Sequence, residues 1–194
     1  CNATGNVTGG LYVGGFVGNN RGIVGNCYAT GYVTSDGDDI GGLVGLNRKM
    51  VRNCYATGNV IGGEDVGGLV GRGSGTIKNC YSTGNVTGDV NVGGLVGSNS
   101  GGIEEYSFWD TEISGQLNSS KGKGKATLEM MTKSTFTEAG WDFDTIWAIN
   151  EYVDYPHLQW EQRPNIEADD SDNDSIPDII DDFPNNPAAS FDTD

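Results

Sequence analysis

Apolar residues in the first hundred positions come in short pairs, cut by glycine every few residues. Gly14-Gly15-Phe16-Val17-Gly18 returns as Gly41-Gly42-Leu43-Val44-Gly45, Gly67-Gly68-Leu69-Val70-Gly71 and Gly93-Gly94-Leu95-Val96-Gly97, at spacings of 27, 26 and 26 residues. Between these copies Asn26-Cys27-Tyr28-Ala29-Thr30-Gly31 returns from Asn53 and from Asn79, and Cys1-Asn2-Ala3-Thr4-Gly5 is a divergent copy. No stretch keeps the i, i+3, i+4 spacing of a helix face, and the β-branched pairs read as short strands. A single unit of this size cannot bury its own apolar side, whereas stacked units can. The pattern predicts an all-β fold, a β-solenoid of about four 26-residue coils. A propeller blade would need roughly 40–50 residues.

The same pattern assigns an interior. Val24, Val51 and Ile77 lie three residues before each Cys, Val7, Val33, Val60 and Val86 lie six after, and the Leu-Val pairs belong inside with them. Strict alternation from Ile77 would point Asn79 and Tyr81 inward and Cys80 outward, and a corner at Asn79 would invert this; the spacing is compatible with both. Glycine is expected to supply positive-φ corners and close approach between coils. The one-residue insertion falls in Thr34–Asp39, which therefore reads as a surface turn.

The rhythm breaks at Gly102-Ile103-Glu104-Glu105-Tyr106, where Tyr106 stands at the spacing of a Cys, and all four Trp follow residue 108. Residues 127–133 read as a short helix, 140–143 and 146–149 as short strands, and 155–160 closes the unit. Solenoids need atypical terminal units, so 104–164 is expected to be a small aromatic α+β cap. Its aromatic residues suit a core, and the same residue types suit a sugar-stacking platform. The expected organisation is a solenoid over 1–103, the cap over 104–164 and an acidic segment over 165–194.

Charge sharpens the division. Residues 1–100 carry six acids and six bases, while the rest carries 21 acids and five bases, so the whole net charge of −16 lies after residue 100. Residues 165–194 hold ten acids and no Lys or Arg. This balance argues against a nucleic-acid partner, which needs clustered Lys and Arg. No apolar run approaches the roughly 18–20 residues of a membrane span. With neither an initiator Met nor a signal peptide, the sequence reads as a processed chain or a piece of a longer one.

Within the acidic segment, Asp170, Asp172, Asp174, Asp178 and Asp181 stand at positions 1, 3, 5, 9 and 12 of a twelve-residue loop, with the carbonyl of Ile176 at position 7. Alternate carboxylates in a tight loop converge on one point, and Ca²⁺ takes six to eight oxygens. Ser175 stands where glycine is usual and Asp181 where Glu is usual. The expected cofactor is therefore Ca²⁺, not in an EF-hand pair. Catalytic signatures are absent: the chain has one His (His157) and no HExxH, GxSxG or P-loop. Cys1, Cys27, Cys54 and Cys80 share one register, where unpaired thiols and disulfides between adjacent coils are both compatible with the spacing.

GGLVG spaced by NCYATGNV resembles the GLUG motif repeat of large secreted and surface proteins of bacteria and archaea. That resemblance implies extracellular repeat arrays, often adhesin-like, and brings no catalytic site. The order Phe108-Trp109-Asp110, helix, Gly140-Trp141, Tyr155-Pro156 is similar to the segment that usually follows such repeats. The acidic segment, with Phe183-Pro184-Asn185-Asn186-Pro187, resembles a thrombospondin type 3 calcium repeat, in which Asp192 and Asp194 would open a second copy. Together these imply a non-catalytic structural or adhesive module at a prokaryotic cell surface. Its expected partners are further modules of the same kind, head to tail, or surface glycans. Carbohydrate binding and glycan cleavage are the rival functions.

Overall fold

A computed structural model describes residues 1–171 and 177–180. Four coils wind in sequence order. The first is β1 (Asn2–Ala3), β2 (Val7–Gly9), β3 (Val13–Gly14) and β4 (Val17–Asn20); the second is β5 (Ile23–Ala29), β6 (Val33–Ser35), β7 (Asp38–Gly41) and β8 (Val44–Asn47). The third is β9 (Met50–Ala56), β10 (Val60–Ile61), β11 (Glu64–Gly67) and β12 (Val70–Gly73), and the fourth is β13 (Thr76–Ser82), β14 (Val86–Thr87), β15 (Val90–Gly93) and β16 (Val96–Asn99). Corresponding strands of successive coils pair in parallel, giving four sheets, here A to D in the order in which each coil visits them. Register follows the repeat: Cys27 lies beside Cys54 and Cys54 beside Cys80, and Val33 beside Val60 and Val60 beside Val86. This is the β-solenoid that the sequence predicts.

Each coil encloses two apolar columns. Sheets A and D enclose the first, built from Val24, Val51, Ile77, the cysteines and the Leu-Val pairs, with Leu43, Leu69 and Leu95 fully buried. Sheets B and C enclose the second, from Val33, Val60 and Val86 against Val13, Ile40 and Val66. Every predicted interior residue from the second coil onward is buried. Val7, Phe16 and Val17, on the outermost coil, are half-buried. Each such aliphatic side chain contributes about 1.5–3 kcal/mol on burial.

Positive φ occurs where the chain turns, but not at the glycines that the sequence suggested. None of the GG-pair glycines has it; Asn26, Asn53 and Asn79 have φ of 52°, 50° and 50°, and Asp39, Asp65 and Asn91 occupy the matching place on sheet C. Short polar side chains tolerate this left-handed conformation best after glycine. The bend at each Asn is the corner that alternation left open. It resets the facing of the strand, so that Cys54 and Cys80 are wholly buried, and Tyr55 and Tyr81 beside them are 1% exposed. The tyrosines stack at 4.9 and 5.0 Å, the spacing of the rungs. The glycines serve close packing instead: a Cβ on Gly42 or Gly68 would strike the carbonyl oxygen of Gly68 or Gly94 on the next rung.

Past the fourth coil, sheet A continues through β17 (Ile103–Glu105), β18 (Phe108–Asp110) and β19 (Lys123–Lys125). Here the register corrects the expected spacing. Lys78 pairs with Glu105 and Tyr81 with Phe108, which sets Tyr106, with φ 55°, opposite Asn79. Ser107 takes the place of Cys and accepts the Cys80 N–H at 3.2 Å. Trp109 closes the first column over Leu95 and Gly94. Asp110 caps α1 (Thr111–Ser114) through the N–H groups of Glu112 and Ile113.

The chain divides into two compact units at Thr127/Leu128, inside the segment 104–164. The single helix expected over 127–133 is two short ones, α2 (Thr127–Met130) and α3 (Lys133–Thr137), because Thr132 between them is extended. The expected strand at 140–143 is a turn: Gly140 has φ 77°, and the Asp142 carboxylate accepts the N–H groups of Asp144 and Thr145. β20 (Trp147–Ala148) and β21 (His157–Leu158) pair antiparallel. Phe136, Trp141 and Trp147 form a buried aromatic cluster with centroids 4.8 and 4.6 Å apart.

Candidate functional site

The acidic segment was the site picked out in the sequence. Of its expected ligands, Asp170 and Asp178 are among the described residues; Asp172, Asp174, Ile176, Asp181, Asp192 and Asp194 lie outside them. Asp178 is tied to the residues on either side of Asp170. Its carboxylate accepts the Ser171 N–H at 2.8 Å and the Ser171 hydroxyl at 2.6 Å, while its own N–H donates to the Asp169 carbonyl at 2.8 Å. The Ser171 bonds lower the Asp178 pKa. Thus the two residues flanking position 1 of the expected loop meet position 9 itself. Among the described residues no group of three or more His, Cys, Asp or Glu is placed to hold a metal. The donor set named by the sequence is all oxygen, which suits a hard cation such as Ca²⁺.

Other side chains with chemical potential are packed away. His157 is 4% exposed, with Nδ1 3.6 Å from the Asp154 carboxylate, and burial lowers its pKa. Three of the tryptophans, Trp109, Trp141 and Trp147, are core residues, while Trp160 is 46% exposed. The cysteines are free thiols. The Cys27, Cys54 and Cys80 thiols donate to the carbonyls of Gly25, Arg52 and Lys78 at 3.1, 3.0 and 3.1 Å. The Cys54 neighbour, and then burial, push the Cys27 thiol up; burial does the same to Cys54.

A polar feature within the coils was not visible in the sequence. Asp39 on β7 is fully buried, and Arg72 on β12 reaches it at 2.6 Å and Asp65 on β11 at 3.7 Å. Asn91 on β15 donates to Asp65 at 2.7 Å. The other Asp39 oxygen is buried without a hydrogen bond. Burial raises the Asp39 pKa to about 6 despite the guanidinium. The available signal was that Asp39, Asp65 and Asn91 recur at 26-residue spacing. What stayed hidden was that sheet D folds back close enough for Arg72 to span them.

Residues 9–34, 36–61 and 62–87 match the GLUG motif. The chain carries three GLUG repeats. Each runs through the C, D, A and B strands in turn, so a GLUG repeat is one full coil, begun at sheet C. The fourth GGLVG, at 93–97, lies beyond these matches and adds a further rung to sheets C and D. A 76-residue stretch, 39% of this chain, is 43% identical to a putative Gly-rich membrane protein of Evansella cellulosilytica. That stretch is 9% of the length of the Evansella protein, so the chain spans a small part of this relative. No solved structure matches the chain. Among the described residues no helix is long and apolar enough to cross a membrane.

Proposed function

We propose that this chain is a non-catalytic structural module of a cell-surface or extracellular stalk or filament, with Ca²⁺ bound in its acidic segment. One observation carries the reading: the GLUG coils form an open stack. Each coil pairs in parallel with its neighbours through four sheets, a geometry that adds coils without closing on itself. Further coils, from the same polypeptide or from a second copy, would continue the stack. A heterologous contact that does not close makes a filament. The relative in which the matched stretch is a small fraction, and whose name places it in a membrane, supports a position in the cell envelope. The match to a repeat motif whose coils stack on one another supports a non-catalytic structural role. Adhesion would follow from display of such a stalk.

Electron microscopy with and without Ca²⁺ tests this. At 500 mM NaCl, single-file filaments in Ca²⁺ that disperse in chelator are expected. Single particles at high protein concentration with Ca²⁺ present would overturn the filament reading.

A further inference from the structure

The twelve charges of residues 1–100 sum to zero, and the fold sorts them. Arg21, Arg48 and Lys49 lie on the turns from sheet D to sheet A, Arg52 and Lys78 on sheet A, and Arg72 on sheet D. Asp36 and Asp89 lie on the turns from sheet B to sheet C, and Asp38, Asp39, Glu64 and Asp65 on sheet C. The D-to-A turn closes the first apolar column and the B-to-C turn closes the second, so bases and acids occupy opposite margins of the coil.

Two of the bases are spent within the molecule: Arg72 on Asp39 and Asp65, and Lys78 on Glu105 at 2.7 Å. What remains is Arg21, Arg48, Lys49 and Arg52 on one margin and Asp36, Asp38, Glu64 and Asp89 on the other. All eight are exposed, and none makes an ion pair among the described residues. Both margins also carry apolar surface. On the basic side Ile23, Met50, Thr76 and Ile103 fall in one register row along a groove of about 460 Å³. Ile23 is 69% and Ile103 59% exposed there, while on the acidic side Leu11, Ile61 and Val90 are 61%, 50% and 45% exposed.

We propose that the basic margin of one molecule docks on the acidic margin of a second copy, coils side by side. Charge and apolar surface complement each other on both faces of such a contact. Arg21 and Arg48 follow one another on successive rungs, as do Asp38 and Glu64, about 4.8 Å apart in each case, so these two pairs stay in step on parallel copies. The contact is heterologous and leaves one margin of each sort free, so it extends into a ribbon. It is separate from the Ca²⁺-dependent joint proposed above.

Sedimentation of the 194-residue chain in chelator tests it, because chelation removes the Ca²⁺ joint. Association at 50 mM NaCl is expected, weakened about tenfold or more at 500 mM. Arg48→Glu with Lys49→Glu leaves the basic margin without net charge, and Asp38→Lys with Glu64→Lys does the same to the acidic margin. Each double variant alone should be monomeric, and their equimolar mixture should associate. Because mixing restores the contact, misfolding cannot account for the losses. A wild-type chain that stays monomeric at low salt overturns the proposal, even where it captures an anionic polysaccharide. So does association retained by either variant alone: retention by the Lys variant would show the basic margin holding the acidic segment instead. Failure here leaves the Ca²⁺ joint standing, since filaments that need Ca²⁺ would still be seen by microscopy.

Discussion

At the scale of single residues, the decisive feature is which side chains accept a left-handed backbone. Asn26, Asn53 and Asn79 were legible as part of a repeated NCY string, yet period-two reasoning could not say whether they face in or out. A φ near 50° is a local choice that the neighbouring rungs enforce. Asn53 Nδ2 donates to Asn26 Oδ1 at 3.0 Å, so the bend of one rung is tied to the bend of the next. Asp39 holds the same backbone state and adds a buried charge. Its carboxyl keeps a proton to about pH 6 in the folded chain, against an ordinary value of 3.8. The fold therefore gains from this group below the lower value and loses the gain as pH rises through about 6. Burial outweighs the Arg72 contact in setting that shift. Asp39→Asn, which keeps the shape and tolerates the same φ, is expected to be at least as stable as the parent at pH 7. It should also flatten the fall in stability between pH 4 and 6. Urea melts across that range check this; an Asn variant less stable at pH 7 would show that the Arg72 ion pair outweighs desolvation.

The coil is the element, and its glycines set how closely neighbouring coils approach. The sequence marked these positions correctly as structural, but the expected reason was only half right. The GG glycines need absence of a Cβ, not positive φ: an added Cβ at Gly68 would meet the Gly94 carbonyl oxygen and the Ser82 side chain. Gly68→Val is accordingly expected to cost about 3 kcal/mol, since neither backbone can yield without breaking ladder bonds. Thr57→Ala, at a half-buried position, should cost less than about 1 kcal/mol. Urea denaturation of the two variants would refute the stacked-coil account if the order were reversed. The second unit was less legible. Its elements run only two to five residues, and the extended backbone at Thr132 and the Asp142 turn divide segments that propensity alone would continue.

For the whole molecule, the chemistry is unevenly distributed along the chain, with a charge-balanced repeat region and a C-terminal segment of ten acids and no Lys or Arg. Mutual repulsion of those carboxylates is relieved when a divalent cation binds, and binding to the folded form stabilises it by mass action. Calorimetry on chelated protein is expected to show Ca²⁺ uptake, abolished by Asp172→Ala with Asp174→Ala, together with a higher melting temperature in Ca²⁺. Absence of heat on titration, or heat unchanged in the double variant, would remove Ca²⁺ from the functional reading. Loss of binding in the variant with the solenoid's own melting unchanged would place the site in the acidic segment.

By itself the sequence determined the solenoid, its 26-residue repeat and much of both columns, though not Val13, Ile40 and Val66 or the inward facing of the cysteines. A strict repeat of short β-branched pairs has one way to bury its apolar side, which is to stack on copies of itself. It also determined where unusual composition lies, because charge and glycine counts need no coordinates. Only the tertiary structure decided the corner at Asn79, the pairing of Tyr106 with Asn79, the reach of Arg72 to Asp39 and the sorting of charges onto two margins. Each depends on residues about 26 positions apart or more meeting across rungs or sheets. A linear pattern records the spacing of such residues, but the direction in which they point is set by the rungs above and below.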